Sequence, residues 1–526
     1  MRGTSQLLRT LVKHDGRRFA PWLLIVTALS VSSVIAYPLV FPSQTDRAAF
    51  AATVGSNPAL GLIFGPAFDL STTDGFNAWR SLALGGFLTA LCVIFAVIRT
   101  TRAQEDSGQA ELLASGVMGR QARLSAAVGL ALLGSVAIGC LSGIVTALCG
   151  GDWQVSLLLG ATFAATGWMF TGVAAVAAQL GTDSRSANSL AVGFLGVLFV
   201  LRGFAYSVDA QEWTIWINPL GWMTQTRPAF ENDWWPLLYA LAFTVLALVV
   251  AYALQTQRDF GQGAIPPRPG PTRGKVRTTW RLAIRLNRGP VVTWAIAFVI
   301  LGVVFGYFAT SVQDLLSEDA SVAHILASGA ASSEELVSAF IVTILSMVGI
   351  LAAVSGVQVV MKVRSEEIED RVEPIIAGSV RRSRYFASNV LLAALSTAVN
   401  ILIAGTIIAW LASSADIGVQ FSDVLVQAIA TIPASWTVVG VSVAVIGARP
   451  AVALAGWVGV VISFALTILG PTFKLWDWIL GISPFWHVPN VTGADVDWTG
   501  LAWISLFTVG FIVVGRQGFR NRDLAR

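Results

Sequence analysis

Five polar positions of this chain recur at a fixed spacing, and ion pairing at a protein surface is the chemistry that their side chains could perform. Each position lies 262 residues before its counterpart, and half of the 526-residue chain is 263 residues. The first set is Arg102, Glu105, Glu111, Gly116 and Arg120, and the second set is Arg364, Glu367, Glu373, Gly378 and Arg382. A period of half the chain predicts a duplicated domain, each copy with one polar segment, residues 102–120 and 364–382.

Charges within each polar segment are spaced for pairing along a helix. Arg102 and Asp106 lie four residues apart, as do Glu367 and Arg371, which predicts ion pairs one helical turn apart. A charged stub of this kind suits a basic cleft on another protein, and a solvated loop is the plainer alternative. If the stub binds a partner, reversing the charge of Glu105 should weaken that contact at little cost in folding energy.

Each polar segment also contains a predicted bend. Gly108 in the first segment and Pro374 in the second are expected to end the helix, and Asp370 stands where the first segment has Gly108. A short second helix should follow, with an acid near its N-terminus, where the helix dipole favours negative charge. Because Asp370 and Pro374 depart from the first segment, we expect different bends and expect Glu111→Arg to be more damaging than Glu373→Arg.

The sequence lacks a recognisable catalytic or nucleotide-binding arrangement. His14, His324 and His487 are the only histidines and fall on separate segments, which argues against a histidine metal site or a catalytic triad. Residues 270–276 are one residue short of a phosphate-binding loop and have Val276 where the Mg²⁺-binding hydroxyl must be. We therefore expect neither an enzyme nor a cofactor in this chain, and energy from ATP would have to enter through another polypeptide.

The polar segments interrupt a strongly apolar chain. Hydrophobic residues make up 55% of it and charged residues only 12%, about half the charged fraction of a typical soluble domain. Apolar runs of about 20 residues, long enough to cross a bilayer, lie near 22–42, 81–98, 124–148, 155–180, 187–207, 236–255, 291–311, 336–360, 386–412, 424–447, 450–470 and 498–515. The sequence thus predicts an all-α polytopic membrane protein of twelve transmembrane helices in two homologous six-helix halves.

The distribution of basic residues predicts the domain order and orientation. Residues 1–255 form the first six-span domain, 256–276 a Pro- and Arg-rich linker, and 277–526 the second six-span domain. If both termini, both polar segments and the linker are cytosolic, nearly all of the 34 basic residues lie inside, as the positive-inside rule requires. Contact with anionic membrane lipids then accounts for the net charge of +4, and no nucleic acid is needed to explain it.

Two further features recur once in each half. Residues 7–13 and 280–286 are basic and amphipathic, precede the first span of their half, and predict interfacial helices. Residues 213–222 and 476–486 are rich in tryptophan and follow the fifth span, which predicts short helices at the outer membrane interface.

Charged residues are nearly missing from the apolar runs. The absence of carboxylates there argues against a proton- or sodium-coupled secondary transporter, which remains the alternative class with six plus six spans. Arg202, toward the outer end of the fifth run, is the exception. We expect its side chain to snorkel to the outer headgroups. Pairing with an outer-loop acid or with an anionic group of a substrate is the other interpretation.

Residues 105–117 resemble the cytosolic coupling segment of ABC-2 type permeases, in which an acidic, glycine-containing stretch ending in Glu-Leu-Leu precedes the third span. The Leu-Arg-Gly motif at 201–203 and the Asn-Pro-Leu-Gly-Trp motif at 218–222 resemble the fused, double-length permeases of bacterial exporters for polyketide-type antibiotics such as tetronasin. The resemblance covers nearly the whole chain, although the second half departs from the latter motif at residues 483–486.

The resemblance implies an ABC-2 exporter fold in the bacterial cytoplasmic membrane. It also implies two copies of a separate ATPase subunit, which bind ATP and Mg²⁺ and dock under the two polar segments to drive amphipathic drugs, polyketide-type antibiotics or lipid-like molecules outward. A cavity between the halves is expected to hold the hydrophobic substrate. Its candidate lining residues are Phe87, Phe95, Phe194, Phe199, Arg202, Phe340 and Phe464.

Overall fold

The computed structural model describes residues 3–523 except 56–57, 110, 112–118, 120, 208–209, 258–262, 265–277, 311–332, 379, 415–418, 470–475 and 492–495. Over these residues the chain is almost wholly helical and contains no strand. Twelve helical stretches are long and apolar enough to cross a membrane. The predicted all-α polytopic membrane protein is therefore confirmed.

We number the membrane-spanning helices in chain order. Spans 1 to 6 are Ala20–Val40, Thr73–Thr100, Ala122–Leu148, Trp153–Leu180, Ser184–Ser207 and Pro236–Gln257. Spans 7 to 12 are Thr279–Thr310, Ser333–Ile368, Arg382–Ser414, Phe421–Ala448, Pro450–Thr467 and Thr499–Asn521. Each predicted apolar run overlaps one span.

Shorter helical elements connect the spans. In the described residues they are Thr4–Asp15, Gln44–Gly55, Pro58–Phe64, Arg102–Asp106, Glu212–Ile217, Pro219–Thr224, Glu373–Ala377 and Asp477–Leu480, together with turns of 3₁₀-helix at Gly16–Phe19 and Pro484–His487. The short helices predicted after the fifth span of each half are present. Both have a side-chain cap before a proline: Asn218 accepts a hydrogen bond from the Leu220 N–H, and Ser483 accepts one from the Phe485 N–H.

The spans group into two compact units, Met1–Gly270 and Pro271–Arg526. The division falls within residues 256–276, most of which lie outside the described residues. In the first unit, Thr4–Asp15 is a separate helix before span 1, with Leu11 buried. In the second unit, the corresponding basic stretch is instead the first part of span 7, which runs unbroken from Thr279 to Thr310.

Close backbone approach between spans 3 and 4 explains the glycines at their contact. A Cβ atom on Gly139 would lie 2.2 Å from the Gly160 carbonyl oxygen, and one on Gly160 would lie 2.3 Å from the Gly139 carbonyl oxygen. The second unit has a similar close backbone contact between spans 10 and 12, where a Cβ on Gly447 would lie 2.0 Å from the Gly515 carbonyl oxygen. Small residues at such contacts allow the extensive van der Waals packing that holds membrane helices together.

We expect Gly160→Val to destabilise the first unit, by about 1–3 kcal/mol or more, because its side chain has no space beside span 3. Thermal unfolding of the purified protein in detergent would measure the loss. Gly193→Val is the matched control, since a Cβ on Gly193, in span 5, meets nothing within 4 Å. Equal melting temperatures for the two variants would contradict the close packing.

Candidate functional site

The first polar segment contains a buried ionic cluster around Glu105. Its carboxylate accepts hydrogen bonds from Arg102 and, at 2.5 Å, from Arg123 Nη2 at the start of span 3. The side chain of Glu105 is only 5% exposed and that of Arg102 only 1%. Arg102 Nε also donates to the Gly181 carbonyl oxygen at 3.0 Å, immediately after span 4. The cluster thus joins the ends of spans 2 and 4 to the start of span 3.

The second polar segment contains a matching cluster around Glu367. Its carboxylate, 1% exposed, pairs with Arg364 at 3.3 Å and with Arg522 at 2.5 Å. Arg522 Nε also donates to the Gly447 carbonyl oxygen at 3.0 Å, in the last turn of span 10. The two clusters therefore have the same arrangement. Each contains a buried glutamate paired with two arginines, and the guanidinium of one arginine is bonded to the end of the fourth span of that half.

The arrangement of each cluster has an electrostatic basis. Among the described residues, the ion pairs of each glutamate join one negative and two positive side chains, which leaves one positive charge in excess. The last carbonyl groups of a helix lack partners within the helix and carry the negative end of its dipole. The bonds from Arg102 to Gly181 and from Arg522 to Gly447 place the excess positive charge at that negative end. Hydrogen bonds between the arginines and these acceptors make burial of the charges tolerable.

The predicted pairing within the polar segments is wrong in its register. Arg102 bonds Glu105, three residues on, whereas Asp106 accepts a hydrogen bond from the Ser184 N–H at 2.7 Å. Likewise Glu367 pairs with Arg364 and Arg522, and Arg371 pairs instead with Glu366 and Glu369. Helical spacing permits both three- and four-residue pairs, and contacts from other spans decide between them.

The predicted difference between the two bends is also wrong. Gly108 has φ of 74° and Asp370 has φ of 55°, so the residue at the same position is left-handed in both segments. The Gly108 N–H bonds the Glu105 carbonyl oxygen at 3.1 Å, and the Asp370 N–H bonds the Glu367 carbonyl oxygen at 3.1 Å. Aspartate tolerates the left-handed conformation better than most residues, which explains why it can replace glycine here. Pro374 does not end a helix but lies in the first turn of Glu373–Ala377.

Both segments present acids to solvent at the bend and beyond it. Glu111 and Glu373 are both exposed, and so are Glu369 and Asp370 in the second segment. Glu373 starts the short helix that Gly378 follows, as predicted for the second segment. Gly116 and Arg120 lie outside the described residues. Arg382 begins span 9 and donates to the Arg522 carbonyl oxygen at 2.9 Å.

The burial of Glu105 changes what the first polar segment can do. A carboxylate that is 5% exposed and bonded to two arginines is not available to a second protein. The expectation that reversing its charge costs little folding energy is therefore wrong. Glu111 and Glu373 are the exposed members of the repeated acid pairs, so they are the repeated acids that a partner could contact.

One family model matches the chain twice, once in each half. Its description is "Multidrug efflux system permease Rv1217c, C-terminal domain", and it matches residues 32–254 and 276–520. The chain belongs to this family of efflux permeases. It is also 33% identical to the multidrug efflux system permease protein Rv1217c of Mycobacterium tuberculosis (strain ATCC 25618 / H37Rv), over 99% of this chain and 95% of that protein.

The predicted cavity residues of the permease occupy several environments. Phe87 of span 2 and Phe199 of span 5 contact each other edge to face, with ring centroids 5.0 Å apart. Phe340 is buried in the core of the second unit. Phe95, Phe194 and Phe464 are exposed on their own unit, at 40%, 42% and 52%. Phe194 also lines a cavity of about 310 Å³ bounded by spans 4, 5 and 6.

Arg202 does not snorkel. It is 3% exposed, and its Nη2 donates to the Ile63 carbonyl oxygen at 2.8 Å. Its guanidinium lies 4.9 Å from the centroid of the Phe199 ring, and among the described residues no carboxylate pairs with it. Burial inside the protein, against aromatic and backbone groups, replaces the predicted headgroup contact.

Two residues of the clusters were missed by sequence reasoning. Arg123 lies just after the first polar segment and could have been noted as the first basic residue of span 3. Arg522 is 155 residues from Glu367 in sequence, so no local spacing rule could have paired them. Within the described part of the permease, no group of three or more histidine, cysteine or acidic side chains is placed to hold a metal ion.

Proposed function

We propose that this chain is the membrane permease of an ATP-driven ABC-2 type exporter in the bacterial cytoplasmic membrane. It would move amphipathic drugs, polyketide-type antibiotics or lipid-like molecules outward, powered by two copies of a separate cytosolic ATPase subunit. The observation that carries the proposal is the repeated structure of the polar segments, each with a buried glutamate cluster, a left-handed turn and an exposed acid six residues after the buried one.

The exposed acids are suited to the docking contact. Glu111 and Glu373 follow the turn in equivalent places and are solvent-exposed, so a basic cleft on a soluble subunit can reach them. Two equivalent acidic segments on one chain match a partner that is present twice. Charges of this kind give orientation and specificity to a protein interface more than raw affinity.

The buried clusters would carry movement into the membrane. A push on the first segment acts on Glu105, and Arg102 connects that carboxylate to the end of span 4 through Gly181. Asp106 is bonded to the Ser184 N–H at the start of span 5, which adds a second connection. ATP-driven closure of the partner would thus rock spans 2 to 5 together, provided that the closed partner prefers one state of the permease.

ATP and Mg²⁺ would be bound by the partner, and both chain termini would lie in the cytosol with it. The proposal rests here on the sequence, since residues 270–276 lack the length and the hydroxyl of a phosphate-binding loop. Membrane lipids and one hydrophobic small molecule complete the set of expected ligands. The similarity to the multidrug efflux system permease protein Rv1217c supports export of several drugs by this chain as well.

The energy source is tested in inverted membrane vesicles that contain the permease with the ATPase that co-purifies with it. We expect accumulation of ethidium or tetronasin on addition of ATP, unchanged when a protonophore collapses the proton gradient. The permease freed of its partner should neither bind nor hydrolyse ATP. Uptake that needs the proton gradient and ignores ATP would instead establish a secondary transporter.

A further inference from the structure

The second cluster obtains one of its cations from the far end of the chain. Applying the 262-residue repeat to Arg123 leads to position 385, which is a tyrosine and carries no positive charge. Tyr385 is 4% exposed and its ring stacks on Phe519 of span 12, with centroids 6.4 Å apart. Without another cation, buried Glu367 would pair only with Arg364 among the described residues.

Arg522 supplies that cation and contacts several other groups. Its Nη2 atom donates a hydrogen bond to Glu367 at 2.5 Å and lies 3.4 Å from the Ile446 carbonyl oxygen. Its Nε atom donates a hydrogen bond to the Gly447 carbonyl oxygen at 3.0 Å. The Arg522 carbonyl oxygen accepts a hydrogen bond from the Arg382 side chain. Its guanidinium also lies 4.9 Å from the centroid of the Phe519 ring. The side chain is 12% exposed.

These contacts give Arg522 two tasks that the first half divides between two arginines. In the first cluster, Arg102 bridges Glu105 to the end of span 4, and Arg123 adds the second positive charge. In the second cluster, Arg522 does both, because its guanidinium bonds Glu367 and the Gly447 carbonyl oxygen at the same time.

We propose that Arg522 is a positioning residue of the second polar segment, which fastens Glu367 to the end of span 10 and so passes movement of that segment to span 10. The inference rests on the proposed function, since it assumes that a partner moves the segment. It predicts that the turn after span 12, which contains Arg522, belongs to the coupling apparatus of the second half.

Arg522→Gln tests the inference in the reconstituted complex of permease and co-purified ATPase. We expect stimulation of ATP hydrolysis by tetronasin or ethidium to fall at least about 5-fold, the scale of a typical coupling between sites. Basal hydrolysis and partner affinity should stay unchanged, because Arg522 is not part of the exposed docking surface. Arg520→Gln is the matched control: Arg520 is exposed and lies two residues earlier, in the last turn of span 12.

Arg522→Lys separates positioning from folding. Lysine keeps a positive charge beside Glu367 but lacks the planar fork that bonds two acceptors at once. We expect it to melt near the wild-type temperature and still to lose stimulation. Normal stimulation in Arg522→Gln or Arg522→Lys would overturn the inference, and so would failure of both variants to fold, which would make Arg522 a purely structural residue.

Failure of the proposed function has a different signature. A wild-type complex that transports without ATP, or that recruits no ATPase, would refute the proposed function whatever the variants do. A wild-type complex with ATP-driven transport and drug-stimulated hydrolysis, unaltered by either Arg522 variant, would refute only the role of Arg522.

Discussion

Glu105→Arg is expected to prevent stable folding of the first half of the permease. The substitution would bring a third guanidinium beside Arg102 and Arg123 in a place where the native carboxylate is only 5% exposed. Breaking a buried ion pair costs about 3–5 kcal/mol because it leaves an unpaired buried charge, and here two arginines lose their partner. In a unit of this size the loss corresponds to a fall in melting temperature of roughly 10 °C or more.

Thermal unfolding and yield of purified protein in detergent would measure the effect. Glu111→Arg provides the control, since it is the same substitution six residues later on an exposed side chain. Glu105→Gln should fall between the two, because it removes the charge while keeping the shape. If Glu105→Arg had the same melting temperature as the wild type, the ionic cluster would not stabilise the fold.

Glu111→Arg and Glu373→Arg are expected to abolish productive coupling while leaving the permease folded. Both side chains are exposed and follow equivalent left-handed turns, so reversal meets a basic partner surface without disturbing a buried group. Placing like charges opposite each other at an interface costs several kcal/mol, which predicts ATPase binding at least about 10-fold weaker for each variant. Co-purification and drug-stimulated hydrolysis at matched expression would measure both losses.

The similar turns also revise the expected asymmetry. Different bends were the reason to expect unequal losses, with Glu111 the more damaging because its segment resembles the family pattern better, and the turns at Gly108 and Asp370 remove the first reason. We now expect comparable losses in the two variants. Glu212→Arg serves as control, because Glu212 is an exposed acid in the Trp-rich segment between spans 5 and 6. Normal partner binding in both variants would show that the polar segments are solvated loops and no docking site.

Hydropathy and repetition were sufficient to predict most of the fold. Twelve apolar runs are visible in the sequence because each span must bury its backbone polar groups in its own helix, and the 262-residue repeat found Glu105 and Glu367 as equivalent residues. Their surroundings could not be predicted in the same way. The partners Arg123, Gly181 and Arg522 come from other spans, and only tertiary packing places them against the glutamates.

Arg202 is a second residue whose surroundings could not be predicted from the sequence. Its position toward the end of span 5 suggested a side chain that reaches for headgroups. The Pro58–Phe64 helix packs so closely on this span that a Cβ on Gly203 would lie 1.9 Å from the Leu62 carbonyl oxygen. That helix covers the arginine and offers it the Ile63 carbonyl oxygen. A residue-by-residue hydropathy argument cannot detect such a cover.

The location of Arg522 has a consequence for biosynthesis. The bonds that the structure describes for Arg102, Glu105 and Asp106 join residues between positions 102 and 184, so they can form while most of the chain is still being translated. The second cluster needs a residue four positions from the end of the 526-residue chain. Because domains form in the order of their synthesis, the second half can fix Glu367 in its buried position only after span 12 and Arg522 have been made.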